Sequence, residues 1–219
     1  PNLPRYFRNV PLARTLRKTL RWRVTVENDA KCFTLAEALA GAGKGKRTVV
    51  GFTLGSGVGG GVVIDGQLLH GRGGLAGELG HTTVVEHGLP CSCGQSGHLE
   101  SYASGNGMVR LYRRLTGKTV DFFELERCAQ AGEPAAKRTL ACGSEMLAVG
   151  LANAVATFNP DVIVLGGGLT RVPLFWRPAV RLAPRLVPYR ESLPTPMVKA
   201  KLGNHAGLIG AALAAATKM

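Results

Sequence analysis

The chain has 219 residues, 45% of them hydrophobic and 6% aromatic, and its formal net charge is +13. This length allows one large domain, or one domain and part of a second, with enough apolar residues for a packed core. No uninterrupted apolar run is long enough to span a bilayer and the basic start lacks the apolar centre of a signal peptide, so we expect neither a membrane protein nor a secreted one. The five cysteines suggest no disulfide framework, which indicates a reducing, cytoplasmic compartment.

The predicted elements mix helices and strands, which indicates an α/β fold. Helices are predicted at about 10–20, at 30–40, over most of 104–158, after 168 and at 206–216. Strands are predicted at 23–26, 48–54, 61–64, 67–70, 161–165 and 197–202, with a hairpin turn at 65–66. Residues 71–100, where Gly, His and Cys are concentrated, are predicted to form a loop.

Positive charge is concentrated in the first element, because seven Arg or Lys and no acidic residue occur up to Arg23. Nucleic-acid binding is one explanation. The other is an amphipathic helix in which Leu12, Leu16 and Leu20 form an apolar stripe and basic side chains cover the wet face. No nucleic-acid motif accompanies the charge, so we favour the helix and expect no nucleic-acid partner. A basic cleft would also attract an anionic substrate such as ATP.

The tripeptide Glu27-Asn28-Asp29 places carboxylates directly after a predicted strand. Enzymes of the α/β class place chemistry at such strand ends, and phosphoryl transfer needs a residue that takes a proton from the substrate hydroxyl. An Asn or Asp before a helix is also a common N-cap, and the tripeptide alone favours that interpretation.

Residues 55–60 fit the pattern G-x-G-x-x-G, which in a dinucleotide-binding fold opens a helix. Here a strand at Gly61–Ile64 and a turn follow instead, so we reject a nicotinamide site. Two interpretations remain. The segment is a strand–turn–strand loop whose backbone N–H groups hold phosphate, or it is a structural turn.

Four possible zinc ligands fall within 18 positions: His81, Cys91, Cys93 and His98. This set suits one tetrahedral zinc, and a disulfide between Cys91 and Cys93 would span too short a loop. His87 is a competing ligand, and two unligated cysteines in a surface loop are the alternative. Glu78 and Glu100 flank the ligands, so they could contact a sugar's hydroxyls while the metal fixes the loop.

Together and in this order, these segments resemble the ROK family of sugar kinases and sugar-responsive repressors. The segments that carry the resemblance are 1–4, 26–30, 53–61, 77–81, 91–100, 159–168 and 206–212. The family has the two-lobed, actin-like (ribonuclease H-like) ATPase fold. The sequence of residues 28–33 is most similar to that of N-acetylglucosamine kinases, with glucokinases and N-acetylmannosamine kinases as close alternatives.

The resemblance implies roles for individual residues. Asp29 would be the catalytic base, Asn28 would hold the sugar, and the sugar's hydroxyls would be contacted by Glu78, His81 and Glu100. His81 would also ligate zinc, together with Cys91, Cys93 and His98. ATP, carrying Mg²⁺, would lie against Thr53, Gly55, Ser56, Gly57, Gly166, Gly167 and Gly168. The implied reaction is ATP-dependent phosphorylation of a hexose or N-acetylhexosamine, most simply N-acetylglucosamine or glucose, at the 6-hydroxyl.

The chain departs from the family pattern in three places. His98 stands where most members have a third Cys, and zinc accepts either. Lys31 replaces a usual Asn, and an ammonium so near would make Asp29 a weaker base. The family's first phosphate loop, Asp-x-Gly-Gly-Thr, does not occur in this sequence, so we expect most of the first lobe to be absent.

From this comparison we expect 1–30 to be a remnant of the first lobe and the hinge. Residues 31–205 would form the sugar- and nucleotide-binding lobe, with the zinc loop at 78–100. Residues 206–219 would hold a helix that packs on the first lobe; without that lobe we expect weak turnover and self-association into a homo-oligomer. The alternative is a sugar-responsive regulator or a non-catalytic sugar-binding fragment. A DNA-binding motif upstream of this sequence would indicate the regulator, and a phosphate loop there would indicate a kinase.

Overall fold

Helices and strands follow one another along the chain in the computed structural model, which describes residues 10–187 and 194–216. The described helices are α1 (Leu12–Leu20), α2 (Asp29–Ala40), α3 (Glu100–Ala103), α4 (Gly105–Thr116), α5 (Phe122–Gln130), α6 (Pro134–Phe158), α7 (Pro173–Leu186) and α8 (Ala206–Ala216). The described strands are β1 (Thr48–Leu54), β2 (Val58–Ile64), β3 (Gln67–Leu68), β4 (Val162–Gly166) and β5 (Met197–Lys199).

The five strands form one sheet in the order β3-β2-β1-β4-β5. A hairpin joins β1 to β2 in antiparallel register, whereas β4 runs parallel to β1 and β5 runs parallel to β4. The turn between β2 and β3 has positive φ at Asp65 and Gly66, which is the geometry of a type I′ hairpin. One edge of the sheet therefore holds the ends of β1 and β4 and the start of β2. We call it the carboxyl edge.

The sheet is buried on both faces, and the side chains of β1 alternate between them as the strand repeat requires. Val50, Phe52 and Leu54 face an apolar cluster that includes residues of α4 to α7. Val49 belongs to a second cluster on the other face, formed with α2 and α8. The near-continuous apolar sequence of β1 follows from this burial on both faces.

Helix α2 lies between the sheet and α8 at unusually close range, because small residues line both contacts. Residues 30–38 are all buried. A Cβ atom at Gly51 or Gly61 would lie 2.2 or 2.6 Å from the Thr34 hydroxyl oxygen, and one at Gly210 of α8 would lie 1.7 Å from the Cys32 carbonyl oxygen. These contacts fix the position of the α2 N-terminus relative to the sheet.

Most predicted elements are present, but the predicted strand at 23–26 is wrong. These residues form no strand because none of the described strands pairs with them, and the Val24 carbonyl instead accepts bonds from the Arg17 guanidinium at 2.8 and 3.1 Å. Strand β2 begins at Val58, earlier than predicted, since the glycines that follow pair with β1. The resembling segment 1–4 lies outside the described residues.

The helices at the two ends of the chain are only partly covered. Helix α1 forms as predicted but buries none of its residues, and Leu12 and Leu20 of its stripe are about half exposed. Helix α8 buries Ala206, Gly210 and Ala214 and leaves Leu208 on an exposed face. The proposed division at residues 30 and 205, the packing of α8 on another lobe and self-association stay predictions.

Helix α6 is the one described helix that is long and apolar enough to cross a membrane, judged by length and composition. Of its most apolar 18-residue window, 61% is buried inside the structure. Its buried residues include Leu147 and Leu151 in the cluster against β1. This burial is typical of the central helix of a packed domain.

Candidate active site

The N-terminus of α2 presents the two residues predicted to handle the sugar. Asn28 is the N-cap, and its side-chain oxygen accepts a hydrogen bond from the Lys31 N–H at 3.1 Å. Asp29 is exposed in the first turn, where one carboxylate oxygen accepts a bond from the Ala30 N–H at 2.9 Å. The capping function therefore belongs to Asn28, and the second carboxylate oxygen of Asp29 has no partner among the described residues.

Lys31 is almost fully buried, at 1% exposure, although a lysine seldom is. Its ammonium donates to the carbonyl of Gly74, in the loop that leads to Glu78. It forms no ion pair with Asp29, and the weakening of that base by Lys31 stays a prediction. Since α2 is covered on both sides, the side chain has only this loop to reach. Lys31 thus joins α2 to the segment that precedes Glu78.

The predicted phosphate loop forms a tight turn between β1 and β2, and we call residues 55–57 the glycine turn. The Gly55 N–H donates to the Gly57 carbonyl at 2.9 Å. The Gly55 and Ser56 carbonyls accept bonds from the first residues of α4 at 2.8 and 3.3 Å. A Cβ at Gly55 would have no neighbour within 4 Å, so this backbone faces open space. Such a turn suits close approach by a ligand.

Three predicted sites meet at the carboxyl edge. Thr53 at the end of β1 pairs with Gly166 at the end of β4, so the glycine turn and residues 166–168 are neighbours. A Cβ at Gly59 would lie 2.6 Å from the Thr53 hydroxyl oxygen and 2.7 Å from the Ala30 Cβ. The residue after Asp29 therefore lies beside the end of β1. These contacts bring the predicted base and both predicted ATP segments to one edge of the sheet.

The four predicted metal ligands converge, and we call residues 81–98 the metal loop. One ligand atom from each of His81, Cys91, Cys93 and His98 lies within 4.8 Å of the others. His81 Nδ1 is 3.6 Å from the Cys91 Sγ, and His98 Nδ1 is 3.2 Å from the Cys93 Sγ. Cys91 and His98 are buried. The donor set and its spacing fit one tetrahedral zinc, and the Nε2 atom of His81 remains for another partner.

The other histidines lie elsewhere. His87 is exposed and is paired at 3.5 Å with its neighbour Glu86, so it is not part of the cluster. His70 Nε2 lies 2.6 Å from a Glu27 carboxylate oxygen. His205 lies in an exposed turn before α8. Of the ligands considered from the sequence, His81 therefore lies in the cluster and His87 lies outside it.

Glu100, at the start of α3, joins the metal loop to the glycine turn. One carboxylate oxygen accepts a bond from the Val58 N–H at 3.1 Å and the other accepts one from the Ser92 hydroxyl at 3.0 Å. Gly80 is packed against the Val58 carbonyl, so the segment that carries Glu78 and His81 reaches the same place. Neither Ser92 nor the buried Lys31 contact followed from the sequence, because both depend on segments that only the fold brings together.

Comparison with characterised proteins gives relatives over most of the chain. The N-acetylgalactosamine kinase AgaK of Shewanella sp. (strain ANA-3) is 41% identical over 169 residues, which are 74% of this chain and 55% of that protein. The N-acetyl-D-glucosamine kinase of Histophilus somni (strain 129Pt) is 34% identical over 215 residues, or 93% of this chain and 70% of that protein. The chain thus spans only part of the length of these relatives.

Solved structures agree with the fold. The ROK hexokinase from Thermus thermophilus matches with a TM-score of 0.90 and 37% identity, covering 95% of this chain and 71% of that one. A ROK family glucokinase from Streptomyces griseus, in complex with glucose and AMPPNP, matches with a TM-score of 0.81 and 33% identity over 94% and 72% of the two chains. The predicted actin-like ATPase fold is confirmed by these matches. Because the ROK family model also matches residues 1–218, the chain belongs to the ROK family.

Proposed function

We propose that this chain provides the sugar site and part of the ATP site of a kinase that phosphorylates the 6-hydroxyl of a hexose or N-acetylhexosamine. The observation that carries the proposal is the gathering of Asp29, the glycine turn and Glu100 around the start of β2. A free carboxylate beside an open turn of backbone is what phosphoryl transfer to a hydroxyl requires. The two characterised relatives named above are both sugar kinases, which supports the same reaction.

Asp29 would act as the general base. Its carboxylate is exposed, and its helix is fixed between the sheet and α8, so the base is held in place before substrate arrives. It would take the proton of the sugar's 6-hydroxyl as that oxygen attacks the γ-phosphorus of ATP, and ADP would leave in line. Asn28, which caps the same helix, would hold a neighbouring hydroxyl. Positioning of this kind supplies much of the acceleration in such reactions.

The glycine turn would receive the phosphates of ATP. The Gly55 and Ser56 carbonyls already accept bonds from α4, so this backbone is fixed and its open side is free for a ligand. Residues 166–168, next to it at the carboxyl edge, would lie near the adenosine. Mg²⁺, when bound with ATP, neutralises the charge that develops on the transferring phosphoryl group.

The metal loop would be held by one structural zinc on His81, Cys91, Cys93 and His98. The metal would not take part in the reaction. It would fix the loop so that Glu78, His81 and Glu100 present acceptors for the sugar's hydroxyls. A reducing, cytoplasmic location for the enzyme would keep its cysteines out of disulfides.

The test combines binding and turnover. Calorimetry with N-acetylglucosamine, N-acetylgalactosamine and glucose measures sugar affinity, and a coupled ADP assay on the complete gene product measures phosphorylation. Asp29→Asn should leave sugar affinity within about tenfold and reduce turnover by about a hundredfold or more, which is the range for loss of a general base.

Asp65→Asn is the matched control, because this exposed carboxylate lies at the opposite end of β2. It should keep wild-type turnover and affinity. Undiminished turnover in Asp29→Asn would refute the proposed mechanism. It would show that Asp29 has only a structural role at the start of the helix.

A further inference from the structure

Ser92 lies between two of the metal ligands, yet its hydroxyl points away from the cluster to a carboxylate. The Ser92 Oγ donates to the Glu100 Oε1 at 3.0 Å. The other oxygen, Oε2, accepts from the Val58 N–H at 3.1 Å. Both oxygens of one carboxylate are therefore held from opposite sides, by the metal loop and by the first residue of β2.

This arrangement restricts a side chain that is otherwise free to rotate. Glu100 is only partly buried, so without these bonds its carboxylate would sample several rotamers. A carboxylate has about four lone-pair positions, so two held oxygens still have capacity for a sugar's hydroxyls. The two bonds thus define the direction in which the remaining lone pairs point.

The glycine turn also restricts where the Glu100 carboxylate can lie. A Cβ at Gly57 would lie 2.6 Å from the same Oε2 atom, so the turn leaves space for Glu100 only because residue 57 is glycine. The carboxylate consequently occupies a site shaped by β2 on one side and by the metal loop on the other. Glu100 therefore links the metal loop to the start of β2, beside the separate packing of Gly80 against the Val58 carbonyl.

We propose that Ser92 is a positioning residue for sugar binding: it orients Glu100 and, through it, couples the metal loop to the glycine turn. Ser92 itself need not touch the sugar. The inference rests on the proposed function in one respect, since it takes Glu100 as a sugar contact. The coupling between the metal loop and the glycine turn depends only on the two observed hydrogen bonds to Glu100.

The experiment compares Ser92→Ala, Ser92→Thr and Ser96→Ala in the full chain. Ser96 is an exposed serine of the same loop whose hydroxyl has no partner among the described residues. Calorimetry with N-acetylglucosamine should show affinity about three- to tenfold weaker in Ser92→Ala, which is below the usual effect of losing a bond to a charged group because Ser92 is exposed. Ser92→Thr keeps the hydroxyl and should restore wild-type affinity, and Ser96→Ala should not change it. Zinc content and melting temperature should be the same in all four proteins.

A second readout does not depend on the sugar. Amide hydrogen exchange at Val58, followed by NMR, should be faster in Ser92→Ala by about threefold or more, and unchanged in Ser92→Thr and Ser96→Ala. If the wild-type chain binds no sugar, the proposed function fails while exchange at Val58 still tests the coupling. Wild-type exchange at Val58 in Ser92→Ala would overturn the proposal. So would a parallel loss of zinc, stability and affinity, which would show that Ser92 only supports the loop.

Discussion

Replacement of Gly57 by alanine tests whether Glu100 must occupy its observed position. The new Cβ would lie 2.6 Å from the Glu100 Oε2, whereas ordinary contact begins at 3.4 Å, so the carboxylate must retreat by about 0.8 Å. The bond from the Val58 N–H is already 3.1 Å long, and such a retreat takes it beyond hydrogen-bonding distance. Gly57 is not among the glycines with positive φ, so the effect is steric and not a matter of backbone strain.

The magnitude follows from the bond that is lost. A hydrogen bond to a charged acceptor contributes about 1.5–3 kcal/mol, and partial exposure of Glu100 favours the lower value. A loss of about 1.5 kcal/mol corresponds to a dissociation constant about tenfold higher. We expect this loss for N-acetylglucosamine in calorimetry.

The control is Gly207→Ala in α8, because a Cβ there would meet nothing within 4 Å. It should bind sugar as the wild type does. If Gly57→Ala also bound sugar with wild-type affinity while remaining folded, Glu100 would not need its observed position, and its assignment as a sugar contact would be refuted.

Two further predictions concern the metal loop and the buried phenol of α4. Cys93→Ser should reduce the zinc content of purified protein from about one ion per chain to well below half, and it should lower the melting temperature. Cys142→Ser, outside the cluster, should change neither quantity. Wild-type protein that contains no metal and is as stable as protein that contains it would contradict this prediction. The hydrogen bond to Glu133 and burial raise the pKa of Tyr112 from 10.0 to about 12, so its contribution to stability is complete below pH 10 and is lost as the pH rises towards 12. Chemical unfolding of Tyr112→Phe should therefore show a smaller loss of stability over that pH range than the wild type, and equal losses would refute the assignment.

The parts of the site that the sequence predicts are those contained in short segments. The metal cluster could be anticipated because a tetrahedral ion selects Cys and His by type and spacing within one loop. The N-terminus of α2 could be located because Asn28 is a good N-cap and a run of apolar residues follows. The hairpin of β1 and β2 could be distinguished from a dinucleotide fold by the strand that continues after the glycines.

The parts that failed or were missed depend on contacts distant in sequence. Residues 23–26 have the composition of a strand, but a strand also needs a neighbour, and none of the described strands provides one. Lys31 is two positions from Asp29 in sequence, whereas its ammonium bonds to a carbonyl 43 positions away. The bond from Val58 to Glu100 spans 42 positions. No local pattern predicts such contacts.

The close packing of α2 has a consequence for engineering this protein towards other sugars. Because Gly51, Gly61 and Gly210 leave no room for added atoms against this helix, most substitutions along it would shift the proposed base together with the backbone. Exposed side chains on either side of the 3₁₀ turn Leu79–His81, such as Leu75 and Glu86, have no such constraint. Combinatorial libraries are therefore better directed at such exposed positions, where new side chains would leave the helix of the proposed base in place.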